Sequence, residues 1–215
     1  MKDSNLIILG PQGSGKGTQA KLLANEFGFV VLGSGDAFRE IAKQDTELGR
    51  KIQKRIHEEG KLVDDELTAE VMMNKIFSVP KEKPIILDGF PRTVRQYALM
   101  KEFWLEAKRG DYKAIFIELS YKESIKRLSS RLTCEQCGTI YIVGSAPEKC
   151  SICGGRLVQR EDDKPEAIKK RLEAFNTETV PLIQEFEREG RLLRIDGAPP
   201  IDKVFKEIVK ELSRE

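Results

Sequence analysis

Residues 8–19 read ILGPQGSGKGTQ. Gly10, four residues, then Gly15 and Lys16 is the spacing of a phosphate-binding loop. In such a loop the backbone N–H groups of a glycine-rich turn cradle anionic oxygens. The helix that follows lends the positive end of its dipole. Gly13, Ser14, Gly15, Lys16, Gly17 and Thr18 would form the cradle, with Lys16 reaching the terminal phosphates. The motif ordinarily continues with Ser or Thr, whose hydroxyl holds Mg²⁺. Here Gly17 follows the lysine and Thr18 comes one place late. A glycine-rich turn is ordinary by itself, so the context decides. Before it, NLIIL (5–9) is an apolar run fit for a buried strand. After it, KGTQAKLLANEF sets Ala20, Leu23, Ala24 and Phe27 at helical spacing. Strand, glycine loop and helix, in that order, are what the mechanism requires.

Outward from this unit, strands are expected at 29–32, 84–88, 114–119 and 191–196. Helices are expected at 38–57 with a break near Gly49, then at 65–77, 93–108, 121–131, 166–189 and 201–212. Five short apolar strands alternating with helices predict an α/β fold. Its centre is a five-stranded parallel sheet flanked by helices, of the phosphate-loop NTP hydrolase type. Residues 133–159 break the pattern, with four cysteines, several glycines, Pro147 and little helical periodicity. They read as an inserted lid. The chain shows no internal repeat and no low-complexity segment.

At 215 residues, 40% hydrophobic and 33% charged, the chain can bury one well-packed α/β core. A net charge of +2 argues against a protein built to coat nucleic acid or an anionic membrane. No apolar run approaches the ~20 residues of a membrane span. The opening MKDSNLIILG has a short apolar core and no cleavage-site pattern, so it reads as a first strand. A cytoplasmic protein is expected, and a monomer, since nothing suggests a sticky surface.

Cys134-x₂-Cys137, twelve residues, then Cys150-x₂-Cys153 is a Cys₄ zinc-ribbon pattern with glycine after each pair. Four thiolates leave no open coordination position, so the metal would be structural. It would fasten a segment with too little apolar surface to hold itself together. Iron can occupy the same ligand set. Free thiols or two disulfides are the alternatives, the latter disfavoured in a reducing compartment.

A second phosphate-handling group follows the third strand, in LDGFPRT. Asp88 stands at that strand's carboxyl end, where ligands bind in open α/β sheets, and is placed to orient Mg²⁺ through its waters. Arg92 can clamp a phosphate with two parallel hydrogen bonds, and Gln96 offers an amide to a base edge. In GSGDAFRE, Ser34 and Asp36 have the chemistry of helix caps, and Arg39 points between the sheet and the next helices. Arg127 and Arg131 are four apart and would share a helix face. Arg160 and Arg171 follow the lid. Singly, each arginine is a solvated charge. Together they suit phosphoryl transfer, where the protein supplies position and positive charge and little covalent chemistry.

These motifs stand in one family's order: GPQGSGKGTQ, GSGDAFRE, GKLVDDE, LDGFPRTVRQ, RLSSRL, the four cysteines, QREDDKPEAIKKRL and RIDGAPP. Over almost its whole length the chain resembles the adenylate kinases of the nucleoside monophosphate kinase family, in their long form with a zinc-bearing lid. The resemblance implies a core of 1–32, 64–129 and 164–215, a monophosphate-binding helical flap at 33–63 and a lid at 130–163. It implies reversible transfer of the γ-phosphoryl of Mg²⁺-ATP to AMP, giving two ADP. Gly17 is then the family's own choice. The metal is held mainly by phosphates and waters, with Asp88 behind them, and Lys16 stabilises the transferring group. Ser34, Arg39, Lys61, Leu62, Val63, Gly89, Phe90, Pro91, Arg92 and Gln96 would bind AMP. Arg131 would touch the ATP phosphates and Arg127 stack on its adenine. Ile140 and Tyr141 would line the ATP site from the lid, and carbonyls near Pro199 would meet the adenine. Arg160 and Arg171 would reach the phosphates of both nucleotides as the lid closes and excludes water. Asp162 and Asp163 would bond the closed lid to ATP or hold arginines.

Three features depart from the family's pattern. Ser34 replaces its usual Thr, its adjacent arginine pair before the lid is Arg131-Leu132, and DGAPP lacks its lysine after DG. The linker between the cysteine pairs is also short for the family. His57, the only histidine, reads as exposed and without a catalytic role, and Trp104 as packing. The rival readings are a UMP or CMP kinase of the same fold, a phosphate-loop GTPase or motor ATPase, and a zinc-ribbon nucleic-acid module. Gly17 and the lack of an Asn-Lys-x-Asp stretch oppose the second. A ribbon with only Tyr141 and a few charges opposes the third.

Overall fold

The computed structural model describes residues 4–54 and 63–214. His57, Lys61 and Leu62 lie outside the described residues. Five parallel strands, β1 (Asn5–Leu9), β2 (Val30–Gly33), β3 (Ile85–Asp88), β4 (Tyr112–Glu118) and β8 (Leu192–Asp196), form the central sheet in the order β2-β3-β1-β4-β8. The chain leaves β1 toward β2 and β3 on one side and returns to β4 on the other. That reversal opens the crevice at the carboxyl end of β1, where α/β sheets bind ligands.

Side chains alternate along β1, and both faces are buried. Ile7 and Leu9 pack with Met72, Tyr97, Met100, Trp104 and Phe186 beneath α4 (Asp65–Ser78), α5 (Val94–Glu106) and α8 (Val180–Arg188). Leu6 and Ile8 pack with Ala20, Leu23, Val204 and Ile208 from α1 (Lys16–Phe27) and α9 (Ile201–Ser213). This two-sided covering is why the strands read as continuous apolar runs.

Three expectations change. The helix expected at 38–57 is two helices, α2 (Ser34–Ala42) and α3 (Glu47–Gln53). The break lies before Thr46, which caps α3 by accepting from the Gly49 N–H at 3.0 Å. Gly49 is inside α3, not a breaker: a Cβ there would stand 2.2 Å from the Gln44 carbonyl oxygen, so its role is close approach. The long helix near 166–189 is α7 (Pro165–Ala174), a wide π turn (Phe175–Thr179), then α8. Pro181 has no N–H to continue the α pattern, and the extra residue of the turn absorbs the gap. Finally, α6 (Tyr121–Ser129) stops before Arg131, which opens strand β5 (Arg131–Cys134). Arg127 and Arg131 therefore do not share a helix face.

The lid is a three-stranded antiparallel sheet, β6-β5-β7, with β6 at Ile140–Ile142 and β7 at Leu157–Val158. Its strands are two to four residues long, so packing alone could not sustain it.

Candidate active site

The β1–α1 loop builds the first wall. Gly13 and Gly15 take left-handed φ of 84° and 92°, so the turn folds back over the start of α1. A Cβ at Gly10 would lie 2.5 Å from the Ile117 carbonyl oxygen. Lys16 donates from Nζ to the carbonyls of Gly10 at 2.6 Å and Pro11 at 2.8 Å. Burial, with Arg92, Arg171 and Arg131 nearby, lowers its pKa to about 7, although Asp88 opposes the shift. Asp88 aligns with Ile8 of β1 and Gly33 of β2. Its carboxyl is pushed up by burial and pulled back by Lys16 and Arg92. A Cβ at position 17 would come within 3.1 Å of Asp88 Oδ2. The space beside the loop that a Ser or Thr side chain would fill is thus open to Asp88, which accounts for Gly17 in chemical terms.

Guanidinium groups build the opposite wall. Arg92 donates from Nε to the Gly89 carbonyl at 2.7 Å and from an Nη to Ser34 Oγ at 3.3 Å. Ser34 in turn donates to the Gly89 carbonyl at 2.6 Å, so it does not cap α2; Gly33 holds that position. Arg131 grips the fully buried Asp163 carboxylate with two bonds of 2.7 and 2.6 Å. Arg171 spans Asp162 at 3.0 Å and Asp163 at 3.3 Å. Arg160 donates to Thr133 Oγ1 at 3.1 Å, and Arg39 pairs with Asp36. Burial lowers Arg92 to about 10, with Arg171 and Arg39 adding to it. Arg160 is lowered to about 10 by burial and by Arg131 and Arg39. Burial pushes Asp162 up, but Arg171, Arg160 and Arg131 outweigh it and leave it below its usual range. Cations that hold their protons less tightly than in water mark a site short of negative charge, one that a polyanion would relieve.

Between the walls runs a cleft of about 2010 Å³. Ordinary small-molecule sites hold roughly 300–1,000 Å³, so there is room for two ligands. It brings together Gly13, Gly15, Lys16, Gly17, Thr18, Ser34, Arg39, Val63, Asp88, Gly89, Pro91, Arg92, Gln96, Arg127, Arg131, Ile140, Arg160, Arg171 and Pro199. Ser14 and Phe90, at 3% and 1% exposure, lie beneath the walls. Gln96 is held at both ends of its amide: Oε1 accepts from the Arg92 N–H at 2.8 Å, and Nε2 donates to Asp65 at 2.9 Å. Since an N–H can only donate and a carboxylate only accept, the amide's orientation is fixed. Arg127 donates to the carbonyls of Gly197 and Ala198, each at 3.0 Å, bracing the segment before Pro199.

Tyr141 stands away from this cleft. Its hydroxyl lies 3.3 Å from Cys150 Sγ, on the far side of β6. Sequence reasoning missed Gln12, Ile142, Ile152 and Ile201, which also line the cleft. The alternation Ile140-Tyr141-Ile142 was the signal for one of them: in a strand, 140 and 142 share a face.

The four cysteine sulfurs lie within 4.8 Å of one another, with Cys134–Cys153 and Cys137–Cys150 each 3.5 Å apart. A tetrahedral ion with Zn–S bonds of about 2.3 Å needs sulfurs roughly 3.8 Å apart. The residues present fit a structural Cys₄ metal, and no position is left for a substrate.

A phosphate loop facing a guanidinium wall across one cleft, with no imidazole among the described residues that line it, is the arrangement of a phosphate-loop phosphotransferase. Comparison with known proteins narrows that class. The family model for adenylate kinase matches residues 8–191. The chain is 39% identical to an adenylate kinase of Caldicellulosiruptor saccharolyticus, over 98% of this chain and 99% of that one. It is 39% identical to one from Archaeoglobus fulgidus, over 95% of each. It is 40% identical to one from Borreliella burgdorferi, over 95% of this chain and 96% of the relative. The chain belongs to the adenylate kinase family, in the form whose lid carries four cysteines, and is a phosphotransferase.

Proposed function

We propose that the enzyme transfers the γ-phosphoryl group of ATP to AMP, reversibly, giving two ADP. The observation that carries this reading is the meeting of two anion-binding walls in one cleft wide enough for two nucleotides. ATP lies with its phosphates in the loop of Gly13 to Thr18 and its adenine between Arg127 and the segment at Pro199. AMP lies against Ser34, Arg39, Val63 and Gly89 to Arg92, with Gln96 at its base; Lys61 and Leu62 belong to the same proposed set. An oxygen of the AMP phosphate attacks the γ-phosphorus as the bond to the β,γ-bridging oxygen breaks. Charge moves onto the equatorial and leaving oxygens. Lys16 follows the transferring group. Arg92, Arg131, Arg160 and Arg171 neutralise the oxygens on both sides. Asp162 and Asp163, already holding Arg131 and Arg171, fix where those guanidinium groups point.

Mg²⁺, when bound with ATP, would screen the phosphate charge, and Asp88 is the carboxylate that would hold its waters. Zn²⁺ in the Cys134, Cys137, Cys150 and Cys153 set would keep the lid folded. Sealing the cleft keeps water from taking the phosphoryl group. Among the described residues no helix is long and apolar enough to cross a membrane. A monomer working in the cytoplasm, with no nucleic-acid or membrane partner, goes with this reading; sedimentation and cell fractionation test it.

The central test is ADP formation from ATP, Mg²⁺ and each monophosphate. AMP is expected to be used far better than UMP or CMP. Equal or faster use of UMP would overturn the choice of AMP, and steady hydrolysis without any acceptor would overturn the transferase reading.

A further inference from the structure

Strand β6 has two faces with different duties. Ile140 and Ile142 line the cleft, exposed at 42% and 45%. Tyr141, between them, turns to the cysteines. Its hydroxyl oxygen accepts from the Ser151 backbone N–H at 3.0 Å and lies 2.9 Å from Ser151 Oγ and 3.3 Å from Cys150 Sγ. Since the N–H can only donate, the phenolic proton is free to go outward, to sulfur or to the serine oxygen. A metal-bound thiolate is an acceptor and the more strongly charged of the two. Cys150 and Ser151 begin the second Cys-x₂-Cys knuckle, so one phenol ties that knuckle to a strand of the lid sheet. The first knuckle needs no such tie: Cys134 is itself part of β5.

We propose that Tyr141 is a positioning residue for the metal centre. Its hydroxyl donates to the Cys150 thiolate and anchors the 150–153 knuckle to β6, whose other face carries Ile140 and Ile142. This rests on the metal reading of the four cysteines. Groups that hydrogen-bond a metal ligand commonly change metal affinity by about 10–100-fold when removed.

The test uses the full chain loaded with one equivalent of zinc, and the same chain loaded with cobalt. Tyr141→Phe is expected to weaken zinc retention against a chromogenic chelator about tenfold or more and to shift the thiolate-to-cobalt charge-transfer band. Ser151→Ala, which keeps the backbone N–H, is expected to leave both near wild type. If Tyr141→Phe does not fold, 3-fluorotyrosine at 141 replaces it. That residue keeps the hydroxyl and sharpens it as a donor, so the band must move in the direction of a stronger bond. An unmoved band, or retention equal to wild type in Tyr141→Phe, overturns the proposal. Failure of the unsubstituted chain to bind one equivalent of either metal would instead overturn the metal reading beneath it.

Discussion

The sheet and the lid solve the same problem by opposite means. In β1, Leu6, Ile7, Ile8 and Leu9 are each 2% exposed or less, and helices cover both faces. In the lid, Ile140, Ile142, Val143 and Ile152 are 42–72% exposed, and two of the buried residues are cysteines, Cys134 and Cys150. The core is held by apolar area removed from water. The lid is too small for that and gathers four sulfurs instead. The difference has a functional return: a lid not held by its apolar side chains can turn several of them toward the cleft.

Metal removal strains that contrast hardest. Structural zinc contributes roughly 10–16 kcal/mol in small zinc-folded peptides, so stripping it is expected to unfold the lid and leave the core standing. Hydrogen exchange should show residues 131–158 losing protection while β1 and β4 keep theirs, with turnover lost. Loss of both regions in one transition would mean that the lid is part of the core's cooperative unit.

Next in size is a matched pair of truncations. Leu87→Ala, at a fully buried position in β3, should cost about 3 kcal/mol. For a chain of this length that lowers Tm by about 6–12 °C. Ile142→Ala, on the exposed face of β6, should move Tm by less than about 2 °C yet raise the KM for ATP. Equal thermal shifts in the two would erase the distinction.

A smaller effect is expected at Gly155. Its backbone is not left-handed, but an added Cβ would sit 2.8 Å from Cys134 Sγ. Gly155→Ala should therefore loosen metal binding by crowding a ligand, measured as faster zinc transfer to a chelator at unchanged core stability. Retention equal to wild type would show that the knuckle yields easily.

How much of this was legible in the sequence follows from the same contrast. The sheet declared itself, because strands buried on both faces must be apolar throughout and NLIIL can do little else. The phosphate loop and the cysteine pairs were legible because their chemistry fixes residue type and spacing together. Direction was not. Tyr141 sits in the segment expected as a lid, where no strand was expected, and nothing local says that 140 and 142, rather than 141, face the cleft; the short β5–β6 pairing decides that. Gly49 looked like a breaker, because a glycine required by the close approach of the Gln44 carbonyl, at the end of the preceding turn, has the same letter as one that ends a helix. The arginines were legible as a set, and Asp162 and Asp163 as acids that could hold arginines, but which arginine meets which acid was not. Asp163, lodged between Arg131 and Arg171, owes its place to a turn (Glu161–Asp163) that no periodicity marks.

A last test asks whether the core is uniformly built for stability. Lys16 is its exception. An ordinary lysine titrates near 10.5, and here burial and the surrounding guanidinium groups bring it to about 7. Between those values the unfolded chain holds a proton at this site that the folded chain has released, so this group's contribution to stability rises with pH across the window. Its full cost is felt below the lower value. Lys16→Met is thus expected to abolish turnover and yet to unfold at a higher temperature than the wild type at pH 6, with the advantage fading as pH approaches 10. Polyphosphate bound in the loop supplies the missing negative charge and should return the ammonium to its protonated form. Nucleotide binding near pH 8 should then take up a proton, seen in calorimetry as a heat that depends on the buffer's ionisation enthalpy. A buffer-independent heat, together with a Lys16→Met chain no more stable than its parent at pH 6, would show that the ammonium rests in the loop at no cost and that core and site obey one rule after all.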